Sequence, residues 1–436
     1  MAEETGRPRL LEADRRQLRW QSVDLEGALP ADHRVRLIWA TVEALDLGPF
    51  EAEILARGSA PGRPAIDPKI LLTVWLYAVS EGVGSARHLA RLCTRDDAYR
   101  WICGGVAPSY HTLSDFRVAH GAKLDALLTQ VLAALLSAGI VRLRRVAQDG
   151  MRVRAHAGGS SFRRGSKLTG YLAAAEAQVA ALRAEVEVAP EAASARERAA
   201  QARAAADRAA RVRRALQELP AVQRAFARDG RRPQRVQRRR GQEARQEARV
   251  STTDPEARVM RMGDGGYRPA MNVQFATDTD SRLIVGVSVC NTGSDGGQLE
   301  PMLAQIETRT GHQPQAYLAD GGYAQRTAID GAAARGVRLY APARLRRRAA
   351  VDPYSPRPTD SAAMAAWRVR MQSAEAKELY KLRAATAETI HADQRTWRGL
   401  RQLPVRSLAK ALCIALWGAL LHNILRADVL LRGSGA

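Results

Sequence analysis

The chain has 436 residues, enough for two or three domains and at least one sizeable core. Its 46% hydrophobic content excludes a disordered protein, and a net charge of +22 points to a polyanionic partner while saying nothing about fold. Four scattered cysteines (Cys93, Cys103, Cys290, Cys413) argue against a zinc site or a disulfide framework and for a reduced, cytoplasmic setting.

The opening stretch, "MAEETGRPRL", is polar and charged, unlike a secretory signal. Residues 1–62 are expected to form an N-terminal helical arm ending in the breaker-rich "GSAPGRPAIDP". Residues 63–138 repeat apolar side chains at three- and four-residue spacing, with Asp67-Pro68 as the cap and first turn of a helix. A second capped start, "SYHTLSDFR", leads into a long apolar-striped helix. Short helices, a tight turn and exposed arginines, Arg117 among them, suit a DNA-reading helix-turn-helix. A plain helical bundle has the same periodicity.

At Gly139 the period changes. "GIVRLRRVAQDGMRVRAHA" places valines and a leucine near alternate positions and reads as two strands. "GYRPAMNVQFATDTDSRLIVGVSVC" reads as another pair joined by the polar turn "TDTDS". "AYLADGGY" is a strand running into a loop, and "RTAIDGAAARGVRLYAPA" a helix followed by a short strand. From about Ser361 the pattern is helical again. The most apolar run, "ALCIALWGALL", falls short of the roughly 20 residues that span a bilayer, so a buried core helix and no membrane partner are expected.

Between the strand groups, residues 161–250 carry 21 Lys+Arg against 10 Asp+Glu, a net +11 and half the excess of the whole chain. They read as a helical hairpin broken near Ala189-Pro190 and Pro220, then a basic tail in which Arg238, Arg239 and Arg240 are candidate DNA contacts. Strands, a helical insertion, then more strands imply one α/β domain, residues 139–160 with 251–436, interrupted at 161–250.

Asp149 and Asp320 each follow a strand-like run and precede a glycine. An acid at the carboxyl end of a strand in an open α/β sheet stands where ligands bind, but Asp-Gly is also a common turn dipeptide, and between two alternating runs it marks a hairpin. A third acid, Glu388, lies on the predicted helix "ELYKLRAATAETIHADQR", on one face with Arg395 and about a quarter turn from Tyr380. Glu375 and Glu378 compete for any role given to Glu388, and the spacing suggests no geometric role for Arg383. Three such carboxylates can hold two Mg2+ ions roughly 4 Å apart, with Mn2+ as a substitute. That arrangement suits phosphodiester chemistry, and the positive charge suits DNA.

The spacing Tyr380-x2-Arg383-x4-Glu388, with a basic residue seven beyond the acid, resembles the signature of bacterial insertion-sequence DDE transposases. "VAQDGMRVRA" resembles the stretch carrying that family's first aspartate and "LADGGY" the second; "GRPAIDP", "TLSDFR", "MNVQFATD", "RGLRQLPVRSLAKAL" and "LLHNILR" add to the likeness in order. The family usually has lysine where this chain has Arg395, and an aromatic and a glycine where it has His391 and Ala392. The resemblance implies an RNase-H-like catalytic core, a metal-binding triad of Asp149, Asp320 and Glu388, and Tyr380, Arg383 and Arg395 as DNA contacts. It further implies double-stranded DNA partners, namely the inverted repeats of an element and its target, and a homo-oligomer on DNA in the nucleoid. The rival readings are a non-catalytic DNA-binding protein descended from a transposase and a stand-alone Mg-dependent nuclease.

Overall fold

The computed structural model describes residues 24–58, 63–188, 192–229, 248–343 and 352–434. Among them, helices alone precede the sheet: α1 (Arg34–Glu43), α2 (Gly48–Glu51), α3 (Pro68–Ser80), α4 (Ala86–Arg95), α5 (Asp97–Cys103), α6 (Tyr110–Ala119) and α7 (Gly121–Ser137). The Asp67 carboxylate accepts the Lys69 N–H at 2.7 Å, and Pro68 occupies the first turn, where its missing N–H costs nothing. Ser109 caps α6 through the Thr112 N–H at 3.1 Å. The single long helix expected from there is two, broken at His120, whose backbone (φ −114°, ψ 40°) leaves the helical region. Gly139 follows α7 in the left-handed region (φ +70°), a conformation glycine adopts without strain.

The sheet begins with β1 (Arg145–Arg154). Where a pair of strands is expected, a single strand runs through Asp149-Gly150 without turning. The insertion follows, with β2 (Phe162–Arg164), α8 (Gly165–Val188), α9 (Ala192–Asp229) and β3 (Arg249–Ser251). β2 and β3 pair antiparallel at its root. Leu168, Val212, Ala215 and Val250 form a small core of their own between the two helices and that ladder. Pro220 does not break the hairpin as expected but lies inside α9. Leu216, Leu219 and Val222 on either side of it pack on this core, and that packing outweighs the lost backbone hydrogen bond. Ala189-Pro190 and the tail with Arg238, Arg239 and Arg240 lie outside the described residues.

Beyond the insertion come β4 (Arg258–Arg261), β5 (Tyr267–Asp278), β6 (Ile284–Cys290), α10 (Leu299–Thr310), β7 (Ala316–Leu318), α11 (Arg326–Ala334), β8 (Arg338–Tyr340), α12 (Ala362–Gln372), α13 (Ala374–Thr396) and α14 (Leu408–Ser434). The strands run in the order β4-β5-β1-β7-β8, with β6 also on β5. β5 is antiparallel to β1, β4 and β6, whereas β1, β7 and β8 are mutually parallel. α10 covers the face that carries Gln148 and Gly150, and α13 crosses the opposite one, to which Asp149 turns.

The apolar run near the C-terminus belongs to a 27-residue helix, α14, which is long and apolar enough to cross a membrane. In this fold it serves as the joint between the helical region and the sheet. Trp417 donates its indole N–H to the Arg117 carbonyl at 3.0 Å. Asn423, fully buried, accepts the Ile284 N–H and donates to the Ile284 carbonyl, both at 2.8 Å, so it completes the start of β6 as a strand neighbour would.

Candidate active site

Register places the two aspartates side by side. The parallel ladder of β1 and β7 ends at the pair Ala147–Leu318, and Asp149 and Asp320 each lie two residues beyond it. Asp149 pairs in the sheet with Phe275, and Gly150 with Gln274. The glycine is there for space: a Cβ on Gly150 would fall 2.2 Å from Asp295 Oδ1 and 2.3 Å from Gln274 Nε2. In "LADGGY" the first glycine lets the loop approach the Pro342 carbonyl, which a Cβ would meet at 2.9 Å. The second donates its backbone N–H to Asp320 Oδ1 at 2.6 Å, which fixes the carboxylate.

Arg383 has the geometric role its spacing did not reveal. From α13 its Nη1 reaches Asp149 Oδ2 at 3.0 Å, with both side chains largely buried (17% and 21% exposed). Its guanidinium also lies 5.7 Å from the Tyr380 ring centre. Burial holds the Asp149 carboxyl above the usual carboxylate range despite the pull of Arg383. Asp320 is raised too, by burial and by repulsion from Asp295 and Asp149, against the Gly322 N–H and Arg383. Burial works against the charge of Arg383 itself, but Asp149, with Tyr380 and Asp320, more than offsets it and raises its pKa.

Asp295 was invisible in the sequence, where "NTGSDGG" reads as a polar loop. Its side chain is 8% exposed; its Oδ1 accepts from Asn272 Nδ2 at 2.7 Å and Gln274 Nε2 at 2.8 Å, and its Oδ2 lies 3.6 Å from Arg152 Nη2. Gln274 in turn accepts from Gln148 Nε2 at 2.9 Å and from the Tyr323 hydroxyl, and Gln148 accepts from the Tyr317 hydroxyl at 2.8 Å. A polar network thus backs the sheet directly behind Asp149. The only signal that could have found it is the alternation of Asn272 and Gln274 within an otherwise apolar strand.

The remaining candidates lie along α13. Glu388 is exposed, as is Arg395, which is electrostatically coupled to Asp149. Glu378 is engaged with Lys381 at 2.7 Å on the surface. Among the described residues no three His, Cys, Asp or Glu side chains converge on one point as a ready metal cage. The donor chemistry nevertheless fits a hard divalent cation: Asp149 and Asp320 are neighbouring carboxylates just past the ladder of two interior strands, with one guanidinium, that of Arg383, paired to Asp149. Arg117, expected to face DNA, is turned inward instead. Its guanidinium stacks 4.9 Å from the Trp75 ring and donates to the Gly84 carbonyl at 2.5 Å, so it is a packing residue. Exposed arginines of that region include Arg87, Arg91 and Arg95, four apart along α4.

His391 also lies on α13, where burial, with Arg395 beside it, pushes its pKa down to about 4. It is neutral at pH 7. Because the unfolded chain takes up the proton nearer 6.5, stability is complete above that value and is lost as the pH falls toward 4. At about pH 5 the loss amounts to roughly 2 kcal/mol. His391→Gln should remove this part of the acid sensitivity, measured by urea unfolding at about pH 7 and pH 5. An equal acid loss in both proteins would show that His391 is not held neutral.

Residues 23–119 match the family model described as Transposase domain (DUF772), and residues 231–424 match that of the Transposase DDE domain. The second range contains Asp320, Tyr380, Arg383, Glu388 and Arg395, and Asp149 lies outside both. No curated protein and no solved structure matches the chain.

Proposed function

The chain belongs to the insertion-sequence DDE transposases, and from that premise we propose that it nicks DNA at the ends of its element and joins the freed 3′-hydroxyl to target DNA. Asp149, Asp320 and Glu388 would hold two Mg2+ ions, or Mn2+ in their place. Bound there, the ions supply a water or 3′-hydroxyl activated for attack and stabilise the leaving oxygen. The observation that carries this reading is the level placement of Asp149 and Asp320 past the end of one parallel ladder, both with raised pKa values. Arg383 screens Asp149 and positions its carboxylate, while Tyr380 and Arg395 border the same carboxylates and would steady a phosphate. The neutral ring of His391, on the helix that Asp149 faces, adds no further positive charge there.

The strand order, three antiparallel strands followed by two parallel ones with helices on both faces, supports reading the core as RNase-H-like. In the helical region, the Arg87–Arg91–Arg95 row of α4 is the better candidate for contact with element ends. The deciding experiment incubates the protein with element-end duplex and target DNA, with and without Mg2+. Cleaved and joined products are expected with the metal only. Cleavage without joining would favour a nuclease, and binding without cleavage a DNA-binding protein.

A further inference from the structure

Trp75, Trp367 and Trp417 are at most 2% exposed, as suits so large an apolar ring, but Trp397 is 65% exposed. It stands at the end of α13, two residues beyond Arg395, which is electrostatically coupled to Asp149. We propose that the indole of Trp397 is a stacking platform for a nucleobase left unpaired at a DNA end beside the carboxylate site. The choice of DNA as partner rests on the transposase reading.

The ring is open to solvent, yet the backbone that carries it is fixed. The Trp397 N–H closes the last turn of α13 on the Asp393 carbonyl at 2.9 Å, and the Leu400 N–H meets the Gln394 carbonyl at 2.9 Å. Gly399 lies between them in the left-handed region (φ +72°), the conformation that ends a helix and turns the chain away. Asp393 in the preceding turn holds Arg398 at 2.9 Å and His422 of α14 at 3.1 Å. Leu400 and Leu403 are buried, and the Leu403 N–H donates to the carbonyl of Arg154, the last residue of β1, at 2.8 Å. A side chain on such a frame loses little further backbone freedom when it binds, so its exposure is not that of a loose end.

The surroundings of the ring select a base as its occupant. Its exposed neighbours in sequence, Arg395, Thr396, Arg401 and Gln402, are polar. One indole among them offers too little apolar area for a stable protein interface, but enough to cover one base. Trp397 also lies on the seam with the helical region: its carbonyl stands 3.9 Å from the place a Cβ would take on Gly82, in the turn between α3 and α4. DNA running from the Arg87–Arg91–Arg95 row of α4 to Asp149 passes this seam. Within a continuous duplex both faces of each base are covered by its neighbours, so a base already unpaired at an end is the one an indole covers at least cost. Cutting at the carboxylates produces such an end. Contact with a second copy of the chain is the rival use of the ring.

The test compares the full chain with Trp397→Leu, which keeps apolar bulk without a flat face, and Trp397→Phe, which keeps the flat face. Fluorescence anisotropy measures affinity for a blunt duplex of about 30 base pairs and for the same duplex with a short unpaired 3′ tail containing 2-aminopurine. Each protein is its own reference, because the ratio of the two affinities is read. Wild type should prefer the tailed duplex about tenfold and quench the 2-aminopurine, Trp397→Phe should keep about a threefold preference, and Trp397→Leu should lose both preference and quenching. Stacking neutralises no phosphate, so the salt dependence of binding should be the same in all three. Tyr267→Ala, which removes an exposed aromatic ring on the β4–β5 hairpin, should leave the preference intact. Equal preference in wild type and Trp397→Leu, or none in wild type, would overturn the proposal. So would a Trp397→Leu protein that loses self-association in analytical ultracentrifugation while keeping the preference, since the ring would then serve a second copy. Metal-dependent cleavage is read in parallel: its absence from every protein, wild type included, counts against the transposase reading and leaves the tail preference standing.

Discussion

Asp149→Asn, Asp320→Asn and Glu388→Gln should each lower metal-dependent DNA cleavage by at least about a thousandfold, roughly 4 kcal/mol of transition-state stabilisation, with duplex affinity within about twofold of wild type. Each change removes a charge at nearly constant volume. At Asp149 it also takes the charged partner from Arg383, so a modest fall in thermal stability is expected there, which the amide oxygen limits by still accepting the 3.0 Å hydrogen bond. Asp320→Asn should cost less, because that carboxylate is held by a backbone N–H rather than an ion pair. The Glu388 variant is the most informative of the three, since that side chain is exposed and its role rests on the family spacing. Cleavage by Glu388→Gln above a few per cent of wild type would reject the assignment and turn attention to Glu375, Glu378 and Asp295.

Local chemistry made much of the architecture readable. The Asp67-Pro68 cap, the strand pair around "TDTDS", the end of β7 just before Asp320 and the helical C-terminal region all follow from short-range rules of capping, alternation and turn composition. What escaped depends on contacts between distant segments. Asp-Gly at 149–150 carries the usual signal of a turn, yet the glycine serves a close approach by Asp295, 145 positions further on, and no local pattern encodes that. Pro220 reads as a breaker because the packing that keeps α9 continuous comes from α8. Arg117 reads as a surface cation because its partner, the Trp75 ring, belongs to another helix. Arg383 showed no role until β1 supplied Asp149.

Gly150→Ala should destabilise the protein by about 3 kcal/mol and depress cleavage even where the protein remains folded. The added methyl would meet Asp295 Oδ1 at 2.2 Å, Gln274 Nε2 at 2.3 Å and Asn272 Oδ1 at 2.7 Å. These are side-chain ends, but they are not free to swing. Asp295 Oδ1 accepts from both amides, and Gln274 is also bonded to Gln148 and Tyr323, so moving any one of them breaks charge-assisted or buried hydrogen bonds. The alternative, a shift of β1 itself, would carry Asp149 away from its level with Asp320, and this is why activity should fall along with stability. Asp295→Ala alone should also destabilise, because it leaves the Asn272 and Gln274 amides without their acceptor. Combined with Gly150→Ala, however, it opens the space that the methyl needs. The double variant should therefore be less destabilised than the sum of the two single changes, by about 1 kcal/mol or more, in urea unfolding of all four proteins. Strict additivity would mean that Asp295 and Gly150 do not share the space the geometry assigns to them, and that the network behind β1 does not set the position of Asp149.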